Sequence, residues 1–234
     1  MTHELAGIQF LAESWTPEQV LSWAFKRFGQ DIAISSAFGV EGMVIIDMAS
    51  RIYPNFRLFT LDTEFLFPET YNLIDRVEDR YGIKIEKVYS VHSPEQQAKT
   101  FGPALWSRNP DLCCELRKVD PLRSKLAEFR AWITSIRRDQ TSFRASAQKI
   151  EWDQNFGLLK INPLVDWNSK QVWSYIFKHN VPYNPLHDQN YPSIGCTHCT
   201  RAIRAGEDPR AGRWAGFTKT ECGLHLQAAQ ATPD

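Results

Sequence analysis

Apolar positions recur along this chain in two rhythms, and together they predict an order of elements. After Thr16-Pro17-Glu18-Gln19, residues Val20, Leu21, Ala24 and Phe28 fall on one helical face. Thr16 suits a helix cap, Pro17 suits a first turn that needs no N–H, and Gln19 is spaced to reach back to the cap. Residues 31–35 read as a short strand, residues 35–42 as a Ser/Gly loop, and a helix follows from Met43 to about Arg51. Residues 57–61 form a second strand, Pro68–Tyr81 a helix stopped at Gly82, and Ile85–Tyr89 a third strand. This strand–loop–helix–strand–helix–strand order predicts an α/β fold, a parallel twisted sheet with helices on both faces.

Beyond this point the rhythm weakens. Residues 90–112 read as loops around a short helix, and residues 113–119 as helix ending before Pro121. Residues 131–136 are a further strand running into Arg137-Arg138-Asp139-Gln140, and residues 158–165 are extended. Asn168 with Gln171 caps a helix to about His179. From Val181 onward prolines and glycines multiply, which predicts an irregular C-terminal arm, and residues 227–234 read as a frayed tail. With no repeat and no linker, the simplest partition is one domain over residues 1–215 and a mobile tail over residues 216–234.

Composition narrows the function classes. The 234 residues suffice for one α/β domain with an appendage. Lys and Arg total 27, as do Asp and Glu, so no global charge draws the chain to nucleic acid or an anionic membrane. Any anion site must be a local cluster. No apolar run reaches membrane-spanning length. Residues 1–10 lack a secretory pattern, and five cysteines without one predict reduced thiols in a cytoplasm.

Those five cysteines carry the sharpest chemical signal. Cys113-Cys114 and the C-x-x-C of Cys196 and Cys199 suit a four-thiolate metal centre, either zinc or an iron–sulfur cubane. Side chains of adjacent cysteines diverge, and a cubane offers each sulfur its own iron, which favours [4Fe–4S]. A vicinal disulfide, a redox pair or buried free thiols are the alternatives. Cys222 is left over, with Lys219 three residues before it and His225 three residues after; cationic neighbours raise the thiolate fraction. His225 taken alone is an ordinary polar tail residue.

Other segments suit an anionic ligand. Residues 35–42 join a predicted strand to a predicted helix, where backbone N–H groups can hold an anion; the bland reading is an ordinary tight connection. The segment lacks the Gly-Lys-Ser/Thr ending of the ATPase P-loop. Asp62 and Thr63, at the end of the second strand, either contact a nucleoside or cap the next helix. Arg201, Arg204, Arg210, Arg213 and Lys219 form one basic cluster, and Arg137, Arg138 and Arg144 another. Guanidinium forks suit phosphate and sulfate, and the alternative is a solvated surface. Interleaved acids argue against a nucleic-acid platform, the reading a non-catalytic iron–sulfur or zinc sensor would need.

In these residues the sequence resembles the assimilatory adenylyl-sulfate (APS) and phosphoadenylyl-sulfate (PAPS) reductases. The resemblance rests on Ser35 through Asp47, Leu61-Asp62-Thr63, Cys113-Cys114 with Arg117-Lys118, Arg137 through Gln140, Cys196 through Arg201, Gly212-Arg213-Trp214, and Glu221-Cys222-Gly223-Leu224-His225. It implies an adenine-nucleotide α-hydrolase-like fold with a modified pyrophosphate loop. It implies a [4Fe–4S] cluster on Cys113, Cys114, Cys196 and Cys199 that shapes the site without shuttling electrons. Cys222 would take up a sulfonate from APS, and thioredoxin or glutaredoxin would release it as sulfite, in cysteine biosynthesis. Substrate contacts would come from Ser35, Ser36, Gly39, Glu41, Leu61, Asp62, Thr63, Lys118, Arg144, Arg210 and Arg213. The four cluster cysteines favour APS with thioredoxin, with PAPS as the alternative; association with a second copy of the chain stays open. Two positions depart from the pattern: Glu64-Phe65-Leu66 stands where many relatives have Gly-Arg-Leu, and Gly42 stands where many have an acid.

Overall fold

Thr16 and Gln19 close the predicted capping box: Gln19 N donates to Thr16 Oγ1 at 3.3 Å, and Thr16 N donates to Gln19 Oε1 at 2.8 Å. The helix they start, α2 (Pro17–Phe28), buries Val20, Leu21, Ala24 and Phe28 as its periodicity requires. In this computed structural model, which describes residues 2–225, α2 is preceded by a helix the periodicity did not predict, α1 (Thr2–Ala12). The apolar residues of α1 fall on more than one side: Ala12 is buried while Phe10 and Leu11 are exposed. Residues 226–234, which include the whole of the expected frayed tail at 227–234, lie outside the described residues.

Six strands make one sheet in the order β3-β2-β1-β4-β6-β5. They are β1 (Ile32–Ser35), β2 (Arg57–Asp62), β3 (Ile85–Tyr89), β4 (Ala131–Ile133), β5 (Ile150–Asp153) and β6 (Leu158–Ile161). β1 pairs in parallel with β2 (Ile34 to Leu58) and with β4 (Ile34 to Ile133). The fully parallel expectation needs one correction: β5 runs antiparallel to β6 at the sheet edge, with Trp152 opposite Leu159. The chain winds outward from β1 to β3, then returns to build the other half from β4. Ligand clefts form at such a reversal, beyond the carboxyl ends of β1 and β4.

Alternation along the strands loads both faces, as helices on both sides demand. Ile32, Ile34, Ile133 and Ile161 share a core with α2, α3 (Val40–Ile52), α4 (Pro68–Tyr81) and α9 (Ser169–Lys178). Ala33, Phe59, Trp132 and Leu158 face the other way, onto Leu122, Leu126 and Phe129. Among the described residues no helix is long and apolar enough to cross a membrane.

Residues 90–112 hold more helix than expected: α5 (Pro94–Phe101), α6 (Leu105–Arg108) and the start of α7 (Pro110–Cys114). The helix expected to stop before Pro121 continues through it. After α7 comes a π-helical turn, Glu115–Val119, and then α8 (Asp120–Leu126). Asp120 N donates to Glu115 O, five residues back. Pro121 has no N–H for the next carbonyl, Leu116 O, and Ser90 Oγ donates to it at 2.8 Å instead. A partner distant in sequence therefore satisfies the carbonyl that the proline leaves without a donor.

Replacing Ile133, fully buried on β4, by Ala is expected to cost about 2–5 kcal/mol. Thr16→Ala should cost about 1 kcal/mol. Denaturant unfolding at unchanged slope checks both, and the reverse ranking would contradict this account of the core.

Candidate active site

The loop after β1 is built by its own side chains. Ser36 N donates to Phe59 O at 3.1 Å, and Ser36 Oγ accepts from Phe38 N at 3.1 Å. Phe38 takes a left-handed backbone (φ 58°) and is anchored by burying its ring in the core. Gly39 caps α3, which begins at Val40, three residues before the expected start, so Glu41 and Gly42 lie in its first turn. A Cβ on Gly42 would sit 2.5 Å from Ser36 Oγ, so the glycine leaves the room that this hydroxyl takes. Glu41 accepts from Arg137 Nε at 3.0 Å and from Gln140 Nε2 at 3.1 Å. It thereby braces the helix to the loop that follows β4, across the chain reversal. Arg138 is likewise committed, donating to Ala147 O and Glu13.

At the end of β2, the buried Asp62 accepts from Tyr71 Oη at 2.7 Å and from Glu64 N at 2.9 Å, so it organises the following turn. Burial, and then the Asp62 hydrogen bond, push the Tyr71 phenol up and keep it a donor. Glu64 sits in a left-handed conformation (φ 58°) that glycine adopts freely. It is held there by Asp62 and by Arg117, whose Nη1 donates to Glu64 Oε2 at 3.1 Å and to Thr63 O at 3.0 Å. Arg117, fully buried and stacked 4.6 Å from the Phe65 ring centre, fills the space beside this departure. Leu61 packs against the second core.

Two segments about eighty residues apart bring four thiols together. Cys113 and Cys114 end α7 just before the π-helical turn. Cys196 and Cys199 flank a tight turn held by Thr197 N on Phe65 O (2.8 Å) and Trp214 N on Cys199 O (3.0 Å). All are free thiols, so neither the vicinal disulfide nor an oxidised C-x-x-C is formed. Burial, then Cys114, Cys196 and Cys199, push the Cys113 thiol up to about 11; burial, then Cys196, push Cys199 up to about 11 as well. Thiols that disturb one another this way occupy one neighbourhood. Thr63 Oγ1 lies 3.3 Å from Cys196 Sγ, and Gln97 Nε2 lies 4.0 Å from Cys113 Sγ. Outside them, Trp106 and His198 stack with ring centres 3.9 Å apart. Among the described residues no three His, Cys, Asp or Glu side chains are arranged around a single metal ion.

Cations surround this cluster on the side of Cys222. Burial opposes the charge of Lys118, yet Cys196, Cys114 and Cys222 outweigh it and raise its pKa. Arg213 donates to Ser193 Oγ at 3.2 Å and lies 4.5 Å from the Trp214 ring centre; Gly195 leaves the room its guanidinium takes. Arg210 Nη2 donates to Thr220 O at 3.0 Å. The Nε atoms of Arg210 and Arg213 are buried without a hydrogen-bond partner. Lys219 pairs with Asp111. Arg144 stands differently: its Nε and Nη2 each donate to an oxygen of Glu221 at 2.8 Å.

Residues 221–225 lie down on the sheet's second face. Leu224 packs against the core there, and His225 is stacked on Trp132 with ring centres 5.8 Å apart. His225 is no ordinary tail residue: burial, then Arg144, Lys160 and Arg210, push its pKa well down, so the imidazole is neutral. Arg117, Gln140 and Glu221 were not picked out as site residues from the sequence, and Arg137 only as part of a basic cluster suited to an anion, whereas it is committed to Glu41 and Asp139. All four lie within the resembling segments, but their partners are far away along the chain.

Residues 31–202 match the family described as the phosphoadenosine phosphosulfate reductase domain. The adenosine 5'-phosphosulfate reductase of Halalkalibacterium halodurans is 49% identical, covering 88% of this chain and 90% of that one. The phosphoadenosine 5'-phosphosulfate reductase of Gloeobacter violaceus is 45% identical over 93% of both. Among solved structures, PAPS reductase from Candida auris in a phosphate complex aligns with a TM-score of 0.76 at 34% identity, over 87% of this chain and 98% of that one. FMN adenylyltransferase from Candida glabrata, 18% identical with a TM-score of 0.57, shares the fold. A mostly parallel sheet, a loop at its reversal and a fifth cysteine among cations thus coincide with sequence likeness over most of the chain, which belongs to the phosphoadenosine phosphosulfate reductase family.

Proposed function

We propose that this chain reduces adenosine 5'-phosphosulfate to sulfite and AMP, with Cys222 as the nucleophile. The observation that carries the reading is the setting of Cys222. Cys222 acts electrostatically on Lys118, on Arg210 and on Cys114, with Arg213 in the same field, so it is a fifth thiol set among cations beside the two cysteine pairs. The unpartnered Nε donors of Arg210 and Arg213 are available to an incoming oxyanion.

In the proposed reaction the Cys222 thiolate attacks the sulfate sulfur. The bond from that sulfur to the bridging oxygen breaks, and AMP leaves with the electron pair. An S-sulfonated Cys222 remains. A dithiol protein, thioredoxin or glutaredoxin, then attacks Cys222 Sγ and releases sulfite. Its second thiol resolves the mixed disulfide, so the dithiol supplies both electrons and Cys222 returns as thiol. Lys118, Arg210 and Arg213 neutralise substrate oxygens so that one anion can approach another. The loop from Ser35 to Gly39, with Leu61 and Thr63, receives the nucleotide at the sheet reversal. Five free thiols suit a reducing cytoplasm.

Cys113, Cys114, Cys196 and Cys199 are proposed to hold a [4Fe–4S] cluster. The fit rests on neighbouring thiols, those of Cys113, Cys114 and Cys196 buried, whose mutual repulsion a cationic group would relieve, and on Thr63 Oγ1 and Gln97 Nε2 within hydrogen-bonding reach of the sulfurs of Cys196 and Cys113. When bound, the cluster supplies a fixed local charge beside Lys118. Protein purified without oxygen should be brown, with on the order of four irons per chain; a colourless protein with one zinc would contradict the assignment.

Cys222→Ser should keep its iron and its nucleotide affinity while releasing no sulfite; turnover at the wild-type rate would remove Cys222 from the chemistry. Sulfite release in the presence of thioredoxin should be faster from APS than from PAPS, and the opposite order would assign the 3'-phosphorylated substrate.

A further inference from the structure

Cys222 is flanked by two anchors, and the first is a carboxylate. Glu221 is buried, and Arg144 grips both its oxygens at 2.8 Å, the parallel two-bond geometry in which guanidinium holds carboxylate most firmly. Thr141 Oγ1 adds a bond at 3.0 Å, and Arg210 Nη2 lies 3.5 Å from the second oxygen. The second anchor is Leu224 and His225 against the core. Between them Gly223 takes φ 87°, a turn that places Cys222 on the side of Lys118.

The grip extends beyond the tail. Arg144 Nη1 donates to Gln140 Oε1, and Gln140 Nε2 donates to Glu41 Oε1 at 3.1 Å. Glu41 stands in the first turn of α3, directly after the loop proposed to receive the nucleotide. A continuous polar chain thus links Glu221 to that loop. On its outer side the tail borders a cavity of about 360 Å³ lined by Arg108, Asp111, Phe143, Phe217, Lys219 and Glu221. Lifting the tail means breaking the Glu221–Arg144 pair and withdrawing Leu224 and His225 from the core, so these two anchors set how long it stays down.

We propose that Glu221 is a positioning residue: it docks the tail on Arg144 and so holds Cys222 over the nucleotide loop. Arg144 then serves the tail and not the substrate, because a sulfate or phosphate cannot share a fork already filled by a carboxylate. Arg210 serves both, with one nitrogen on the tail and its Nε left for the substrate. The inference rests on Cys222 being the sulfur-accepting group, but docking can be tested without substrate.

The test compares wild type with Glu221→Gln, Glu221→Asp and Arg144→Lys as iron-loaded enzymes. Alkylation of Cys222 by iodoacetamide is followed on its peptide without nucleotide, and amide exchange is followed over residues 221–225. Glu221→Gln and Arg144→Lys should each speed alkylation about tenfold, the equivalent of one lost charge-assisted contact, and should deprotect residues 221–225 while β1 and β4 stay protected. Glu221→Asp should recover part of the protection. With APS, kcat should fall while KM stays near the wild-type value, and the double variant should be no worse than either single one. Unchanged alkylation in Glu221→Gln would overturn the proposal. So would a lower KM in that variant, which would mean that Glu221 competes with substrate for Arg144. If wild-type Cys222 takes up no sulfonate while the alkylation results hold, the proposed reaction fails and the docking stands.

Discussion

The site depends on cations placed where buried carboxylates and ionisable thiols converge. Five thiols and the carboxylates of Glu41 and Glu221 gather at one end of the sheet, and Cys113 and Cys199 are pushed up to about 11 by burial and by neighbouring thiols. Nothing in the overall balance of a chain with zero net charge favours this. The compensation is local: Arg137 answers Glu41, Arg144 answers Glu221, and Lys118 answers Cys196, Cys114 and Cys222 together. Removing one partner of a buried pair costs about 3–5 kcal/mol because the other stays charged and dry. The cations are therefore as much a condition of the fold at this end as a tool of the chemistry.

The fold turns these pairings into a geometry. A sheet that reverses direction between β1 and β4 opens a cleft there, and loops from both halves must be held in register across it. Glu41 does this from α3, through Arg137 and Gln140. Arg117 does the equivalent beside β2, tying the turn at Thr63 and Glu64 to the helical segment that carries Cys113 and Cys114. The π-helical turn after those cysteines, kept intact through Pro121 by Ser90, places Arg117 and Lys118 on that same segment.

What was legible in the sequence is what is decided locally. The box of Thr16 and Gln19, the stop at Gly82 and the alternation that builds β1 to β3 all depend on neighbours along the chain. β5 escaped because Ile150-Glu151-Trp152-Asp153 is short and half charged, and its strand character comes from pairing with β6. The helix through Pro121 escaped because its compensating donor is 26 residues away. In the site, cysteine number and spacing, with the family resemblance, pointed to a four-plus-one division. Glu221 escaped because its meaning lies in Arg144, 77 residues earlier, and His225 because nothing in Gly223-Leu224-His225 signals that the ring will be buried on Trp132.

The central claim is that one cysteine near the end of the chain accepts a sulfonate while four others are held elsewhere. It is tested most directly by mixing the enzyme with adenosine 5'-phosphosulfate, omitting any thiol reductant, and weighing its cysteine peptides. The account predicts one added SO₃ on the peptide carrying Cys222 and none on those carrying Cys113, Cys114, Cys196 or Cys199. An unmodified Cys222 peptide in enzyme that has released AMP would contradict it.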